Sequence, residues 1–102
     1  MKTFRAYQLA CEFYRLAKGL KLPKPLGDQL RRAGASSALN LAEGYGRSTR
    51  LDQHRFFGMA LGSVRECQAV FDLADDDVPR QLRDLLDHLA AATWRLLHPR
   101  RA

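Results

Sequence analysis

Hydrophobic residues recur at intervals of three and four positions along most of this chain. That spacing places apolar side chains on one face of a helix, because an α-helix completes a turn every 3.6 residues. Proline and glycine interrupt the pattern around residues 22–25, 44–46 and 79, where a helix does not easily continue. The sequence therefore predicts four helices, at about residues 3–20, 26–44, 50–74 and 78–97.

Each predicted helix carries one apolar face suited to burial. The first face includes Phe13 and Leu16, the second Leu41, the third Phe56 and the fourth Leu89. The connections between the helices are short, so consecutive helices should run antiparallel. The predicted fold class is all-α: an antiparallel, up-down-up-down four-helix bundle that forms a single domain over residues 1–102.

The size and composition of the chain limit its class. With 102 residues, 46% of them hydrophobic, it is long enough for one packed core and too short for two. No run approaches the roughly 20 apolar residues of a membrane span, and the N-terminus lacks the pattern of a secretion signal. We expect a cytoplasmic protein without a membrane partner.

Charge is unevenly distributed along the chain. The net charge is +6, yet the acidic residues concentrate between Glu66 and Asp87, where Asp75–Asp77 form a run. The predicted bundle is therefore basic in one half and acidic in the other. Such a surface can bind a polyanion or pair opposite faces of identical subunits, and a merely solvated surface is the third possibility.

Residues with the spacing of a catalytic or metal site are not found in this sequence. The three histidines, His54, His88 and His98, have no partner at metal-ligand spacing, and no Cys-x-x-Cys or His-Glu-x-x-His motif occurs. Cys11 and Cys67 fall on apolar faces, where a thiol behaves as a small hydrophobic group. We expect no enzymatic activity, no metal and no cofactor, with both thiols reduced and buried.

Basic and aromatic residues surround the turn that follows the second predicted helix. Tyr45, Arg47 and Arg50 should lie together there, and Arg31 and Arg32 precede them on the same helix. The four arginines are candidates for phosphate contacts, and the tyrosine is a candidate for stacking on a base. The alternative is a glycine helix cap with solvated arginines.

A polar network is a second candidate feature. Arg32, Asn40 and Glu43 follow one stripe of the second helix, and Arg55 and Glu66 flank a strip of small residues on the third. If the two stripes face each other, the arginines can pair with the glutamates and fix the helix register. A solvated face is the alternative.

Self-association is suggested by apolar residues outside the predicted core. The candidate interface residues are Tyr7, Tyr14, Leu39 and Trp94. Gly58 and Gly62 lie four residues apart within one helix, where glycine costs about 1 kcal/mol relative to alanine, so we expect them to serve close packing.

The central part of the chain resembles a known family. Gln29–Ala33, Ala42–Arg47 and the positions Arg55, Gly62 and Glu66 are similar to those of bacterial four-helix-bundle proteins first noted as products of intervening sequences in 23S ribosomal RNA genes. The resemblance implies an antiparallel four-helix bundle and a ring-like homopentamer. A similar fold occurs in the accessory variability determinant of diversity-generating retroelements, a basic pentamer that binds a reverse transcriptase and nucleic acid.

Two functional hypotheses follow. The first is a non-enzymatic oligomeric scaffold or adapter that associates with RNA or DNA, or with a nucleic-acid enzyme such as a reverse transcriptase, through its basic half. The second is a self-assembling protein-interaction module that does not bind nucleic acid. In that case the apolar residues outside the core form the interface, and the charged halves orient the subunits.

Overall fold

The computed structural model describes residues 4–100. Four helices make up most of this range: α1 (Arg5–Ala17), α2 (Lys24–Gly46), α3 (Arg50–Ala74) and α4 (Arg80–Leu97), with a single 3₁₀ turn at Asp75–Asp77. No strand occurs between residues 4 and 100. Residue 3 of the first predicted helix, and the outermost residues of the predicted domain, lie outside the described residues.

The helices pack in a closed square. Each contacts its neighbours along the chain, α1 also contacts α4, and the α2–α3 pair is the most extensive. The molecule measures 42 × 22 × 21 Å, a length consistent with the 25 residues of α3 at a rise of about 1.5 Å each. The predicted all-α four-helix bundle is confirmed.

The up-down-up-down order gives the bundle two distinct ends. We call the end that holds the start of α1, the α2–α3 turn and the finish of α4 the first end. The opposite end, which holds the α1–α2 and α3–α4 connections, is the second end. Among the described residues, no helix combines the length and apolar character needed to cross a membrane.

The core follows the predicted periodicity with two corrections. Phe13, Leu41 and Leu89 are fully buried. On α3 it is Phe57 that enters the core, whereas the predicted Phe56 lies half-buried beside it. Leu16 was predicted to be buried but is 45% exposed, because the buried stripe of α1 runs through Ala6, Leu9, Ala10, Phe13 and Ala17 and is narrower than predicted.

Local geometry explains where α1 and α2 begin and end. Helix α1 ends at Ala17, three residues earlier than predicted, in a turn that contains Gly19. Helix α2 begins at Lys24, and Pro25 occupies its first turn. Proline has no backbone N–H, but a residue in the first turn of a helix does not need one for an intrahelical hydrogen bond. Gly44 was predicted to end α2, but the helix continues to Gly46 and buries Gly44.

The α3–α4 connection is tied by an arginine. Asp75 adopts a φ of 51°, a left-handed conformation that a residue with a side chain rarely adopts. Arg83 donates from Nη2 to the carbonyl oxygens of Asp75 and Phe71, which also accept from the backbone amides of Val78 and Asp75, respectively.

Candidate nucleic-acid interface

The fold gathers arginines from several elements at the first end of the bundle. Helix α1 contributes Arg5, the α2–α3 turn contributes Arg47, and the start of α3 contributes Arg50. The C-terminal part of the chain contributes Arg95 and Arg100. We call these five residues the basic end. The acidic run Asp75–Asp77 lies at the opposite end. The acidic run thus lies at the end opposite these five arginines, because α4 returns its late arginines to the first end.

Arg31 and Arg32 lie apart from the basic end. Arg47 follows Arg31 by sixteen positions along α2 and its C-cap, about 24 Å at the helical rise. Arg31 donates to Asp28, which also accepts from Lys24 Nζ at 2.8 Å. Both hydrogen bonds lower the pKa of the Asp28 carboxyl, and the hydrogen bond from Lys24 has the larger effect. Arg32 is exposed. The structure therefore divides the predicted phosphate contacts between two places.

Arg47 is held by its own subunit. Its Nη2 lies 2.9 Å from Glu43 Oε2, and its guanidinium lies 4.6 Å from the centre of the Phe56 ring. Its Nε atom is buried without a hydrogen-bond partner in the described range. Arg50, by contrast, is exposed at the start of α3, where the Thr49 side chain caps the helix by accepting from the Asp52 amide at 3.1 Å.

Tyr45 packs inside the subunit. Its ring makes edge contacts with Phe4 and Phe57, at centroid distances of 5.0 and 5.2 Å. Burial raises the pKa of the Tyr45 hydroxyl, and the nearby backbone amide of Ala6 acts weakly in the opposite direction. A ring engaged in this way is poorly placed to stack on a base, so the role predicted for Tyr45 is better assigned to packing.

Three adjoining grooves cross the basic end. The α1–α4 groove is lined by Arg5, Ala6, Tyr45, Ala92, Arg95 and Leu96. The terminal groove is lined by Tyr45, Arg50, Gln53, His54, Phe57, Leu96, Leu97 and Pro99. The α3–α4 groove is lined by Arg65, Ala90, Ala91, Trp94, Arg95, His98 and Arg100. Shared residues connect the grooves, since Leu96 lines the first two and Arg95 lines the first and third.

A polar seam does join α2 to α3, but its pairs differ from those predicted. Gln29 Nε2 donates to Glu66 Oε2 at 2.6 Å, and Ser63 Oγ donates to Ser36 Oγ at 2.9 Å. Asn40 belongs to the seam, because its Nδ2 donates to the carbonyl and hydroxyl oxygens of Ser36.

The predicted arginine–glutamate pairs are not formed across this seam. Glu43 pairs within α2, and Glu66 accepts from Gln29. Arg55 instead places its guanidinium 4.6 Å from the Phe56 ring centre, and Arg32 makes no ion pair with any described residue. An i,i+4 pair on one helix, such as Glu43 with Arg47, needs less reorganisation of the side chains than a pair between two helices.

The candidate interface residues are distributed over three helices. Leu39 on α2 is 70% exposed and Trp94 on α4 is 46% exposed, while on α1 Tyr7 is exposed and Tyr14 half-buried. Gly58 and Gly62 were expected to allow close packing, yet a Cβ at either position would meet nothing within 4 Å in the subunit.

The sequence reasoning missed the contribution of the last part of the chain. Arg95 and Arg100 lie beside Trp94 and His98 in the α3–α4 groove. The histidine ring stacks on the indole with 4.0 Å between centroids. The i,i+4 spacing of Trp94 and His98, with Arg95 between them and Arg100 two positions after His98, was the available signal. No group of three or more metal-ligating side chains lies together within residues 4–100.

Comparison with known proteins agrees with the motif-based resemblance. No curated protein matches the chain with significant sequence similarity. The family model described as 23S rRNA-intervening sequence protein matches residues 3–78, which include α1, α2, α3 and the turn that follows them. The resemblance predicted from Gln29–Ala33 and Ala42–Arg47 is confirmed, and this chain belongs to the 23S rRNA-intervening sequence protein family.

Proposed function

We propose that this protein is a non-enzymatic, self-associating scaffold that binds nucleic acid, or a nucleic-acid enzyme such as a reverse transcriptase together with its nucleic acid, through the basic end. The observation that carries the proposal is the convergence of five arginines from α1, the α2–α3 turn and the C-terminal part of the chain. Within the described range, Arg47 is the one member of this set that forms an ion pair.

Free arginines at one end of a small bundle favour a polyanionic partner. An arginine that already has a carboxylate partner must give it up before it binds a phosphate, whereas an unpaired one exchanges only water and counterions. Among the described acids, Glu43 and Asp52 lie in the terminal turns of this end, and Glu43 is engaged by Arg47. The excess positive charge therefore remains available to phosphates.

Binding titrations test the proposal. Labelled single-stranded and double-stranded RNA and DNA are titrated with the protein at low and at physiological salt, while light scattering follows the mass of the protein. We expect binding at low salt that weakens steeply as salt increases. Absence of binding at every salt concentration would contradict the proposal.

Charge reversal locates the site. Arg50→Glu combined with Arg95→Glu should weaken binding by at least tenfold, because two phosphate contacts become repulsive. Lys21→Glu combined with Arg80→Glu makes the same change in net charge at the second end and should have a much smaller effect. Equal losses in the two variants would assign binding to net charge alone.

A self-assembling module without nucleic-acid binding is the second candidate. It is favoured by exposed leucines, with Leu39 at 70% and Leu51 at 81% exposure, because large apolar side chains left in water often mark association surfaces. By resemblance to its family the assembly would be a homopentamer. A stable multimer that binds no oligonucleotide would select this candidate.

A further inference from the structure

We propose that the α3–α4 groove is a site for single-stranded nucleic acid, in which an unpaired base stacks on Trp94 and its phosphates contact the surrounding arginines. The proposal rests on the proposed function and identifies the groove that would contact the bases of the strand. The groove has a volume of about 500 Å³ and includes Arg95 and Arg100 of the basic end.

The indole of Trp94 is presented to solvent. His98 stacks on it with 4.0 Å between ring centroids and an interplanar angle of 17°, and His98 Nδ1 lies 3.0 Å from the Trp94 carbonyl oxygen. Although the imidazole covers one face, Trp94 remains 46% exposed. Nearly half of the Trp94 side chain is therefore accessible from the groove to a further planar group, and the His98 stack favours one orientation of the indole.

Small side chains shape the floor beside the indole. Ala90 and Ala91 line the groove on α4, so no bulky side chain of that helix occupies the space one turn before Trp94. A flat aromatic ring fits into such a space by stacking, and base–aromatic stacking needs no particular base because every base has a π face.

The charge of the groove favours phosphates over other ligands. Arg65 approaches from α3, and Arg95 and Arg100 approach from the end of α4, while no carboxylate is among the lining residues. None of these three arginines forms an ion pair with another described residue. Arg65 Nη1 donates to Gln68 Oε1 at 2.8 Å, so its neighbour is neutral. A tryptophan flanked by cations without carboxylate partners is the combination used to bind single strands, in which backbone and bases are contacted together.

The groove continues into the basic end, so one strand can occupy both. Arg95 lines the α3–α4 groove and the α1–α4 groove, and it thus connects the stacking position with Arg5. A duplex would present its phosphates to the arginines but keep its bases stacked away from the indole. The site should therefore prefer single strands to duplexes of the same length.

The chain contains one tryptophan, so the intrinsic fluorescence of the protein reports directly on this site. An oligouridylate or oligothymidylate carrying a terminal dye is titrated into the full chain, and tryptophan emission and dye anisotropy are recorded together. We expect the indole emission to be quenched in step with the anisotropy increase. Unchanged emission at saturation would overturn the stacking site while leaving binding at the basic end intact.

Substitutions separate stacking from simple apolar contact. Trp94→Ala should weaken the affinity for the single strand by about tenfold, from the loss of one stacked base, and Trp94→Phe should restore part of it, whereas Trp94→Leu should not. Leu73→Ala, an exposed apolar position at the second end, is the control. If leucine at position 94 restores binding as well as phenylalanine does, stacking is excluded.

The remaining outcomes distinguish this site from the proposed function. If Trp94→Ala abolishes self-association in light scattering and leaves the affinity for the strand unchanged, the groove is a protein interface and the inference is wrong. If no oligonucleotide binds the wild-type chain at low salt, the inference and the proposed function fail together.

Discussion

The ring of Phe57 occupies the space where a side chain of residue 44 would begin. A Cβ placed on Gly44 would lie 2.6 Å from Phe57 Cε1 and 2.7 Å from Phe57 Cδ1, far closer than carbon atoms approach without repulsion. The ring is buried against α2 at the point where the chain turns into α3. This contact sets how closely the two longest helices approach at the basic end.

Replacing Gly44 with alanine should destabilise the protein. The methyl group gains up to about 1 kcal/mol of helix propensity, but it displaces a buried ring, and overpacking of this kind costs about 1–3 kcal/mol. Urea denaturation should therefore show a net loss of about 1 kcal/mol or more in the free energy of unfolding.

The matched control is Gly62→Ala on α3. A Cβ there meets nothing within 4 Å, so the same substitution should stabilise an isolated subunit by about 0.5–1 kcal/mol through helix propensity. Equal changes at the two positions would show that the ring of Phe57 does not exclude a side chain at residue 44.

Arg83 should stabilise the bundle by capping α3. Its guanidinium donates to two carbonyl oxygens at the end of that helix, those of Phe71 and Asp75. Because the side chain is half-buried, Arg83→Gln should cost about 1 kcal/mol in thermal or urea unfolding. Arg80→Gln, which removes an exposed arginine from the first turn of α4, should change stability by less than about 0.5 kcal/mol. Equal losses would mean that the cap contributes nothing specific.

The Ser36–Ser63 hydrogen bond should contribute to the α2–α3 seam. Ser63 is 7% exposed and donates to Ser36 Oγ at 2.9 Å. Ser63→Ala should lower the free energy of unfolding by about 1 kcal/mol, since Ser36 then loses a partner. Ser48→Ala, in the exposed α2–α3 turn, is the control. An unchanged stability for Ser63→Ala would show that water replaces the lost hydroxyl.

Burial of the Cys67 thiol makes the free energy of unfolding depend on pH in the alkaline range. Burial, with a smaller contribution from the charge of Glu66, raises the pKa of the Cys67 thiol from 9.0 to about 12. Between these values the unfolded chain has lost a proton that the folded chain retains. The free energy of unfolding therefore decreases as pH rises through this window, by up to about 1.4 kcal/mol per pH unit from this group.

Comparison with Cys67→Ala isolates that contribution, because every other titratable group is common to the two proteins. The stability difference between wild type and variant should be constant below pH 9 and should shrink above it. A difference that stays constant to pH 11 would contradict the account of the buried thiol.

The sequence predicted the helices well because their apolar periodicity is local and strong. It assigned Phe56 to the core where the structure places Phe57, since both fit a helical stripe and only the contact with Gly44 decides between them. The predicted end of α2 was wrong for the same reason. Gly44 does not end the helix; its missing side chain allows α3 to pack closely against α2 at Phe57.

The candidate site was harder to predict because it depends on which helix ends meet. Arg47 and Arg50 are neighbours in sequence and were identified. Arg95 and Arg100 join them only because α4 runs back to the first end, and Arg31 is left about 24 Å away by the length of α2. Sequence spacing alone does not say whether an arginine is free or, like Arg47, paired with a carboxylate one turn away.

The salt dependence of single-strand binding tests the central claim most directly. If the unpaired arginines Arg5, Arg50, Arg95 and Arg100 each displace about one counterion, the logarithm of affinity should fall against the logarithm of salt concentration with a slope of about −3. Arg50→Ala should reduce that slope by about 0.7, and Arg80→Ala at the second end should leave it unchanged. A salt-independent affinity, or equal slope changes in the two variants, would contradict binding at the basic end.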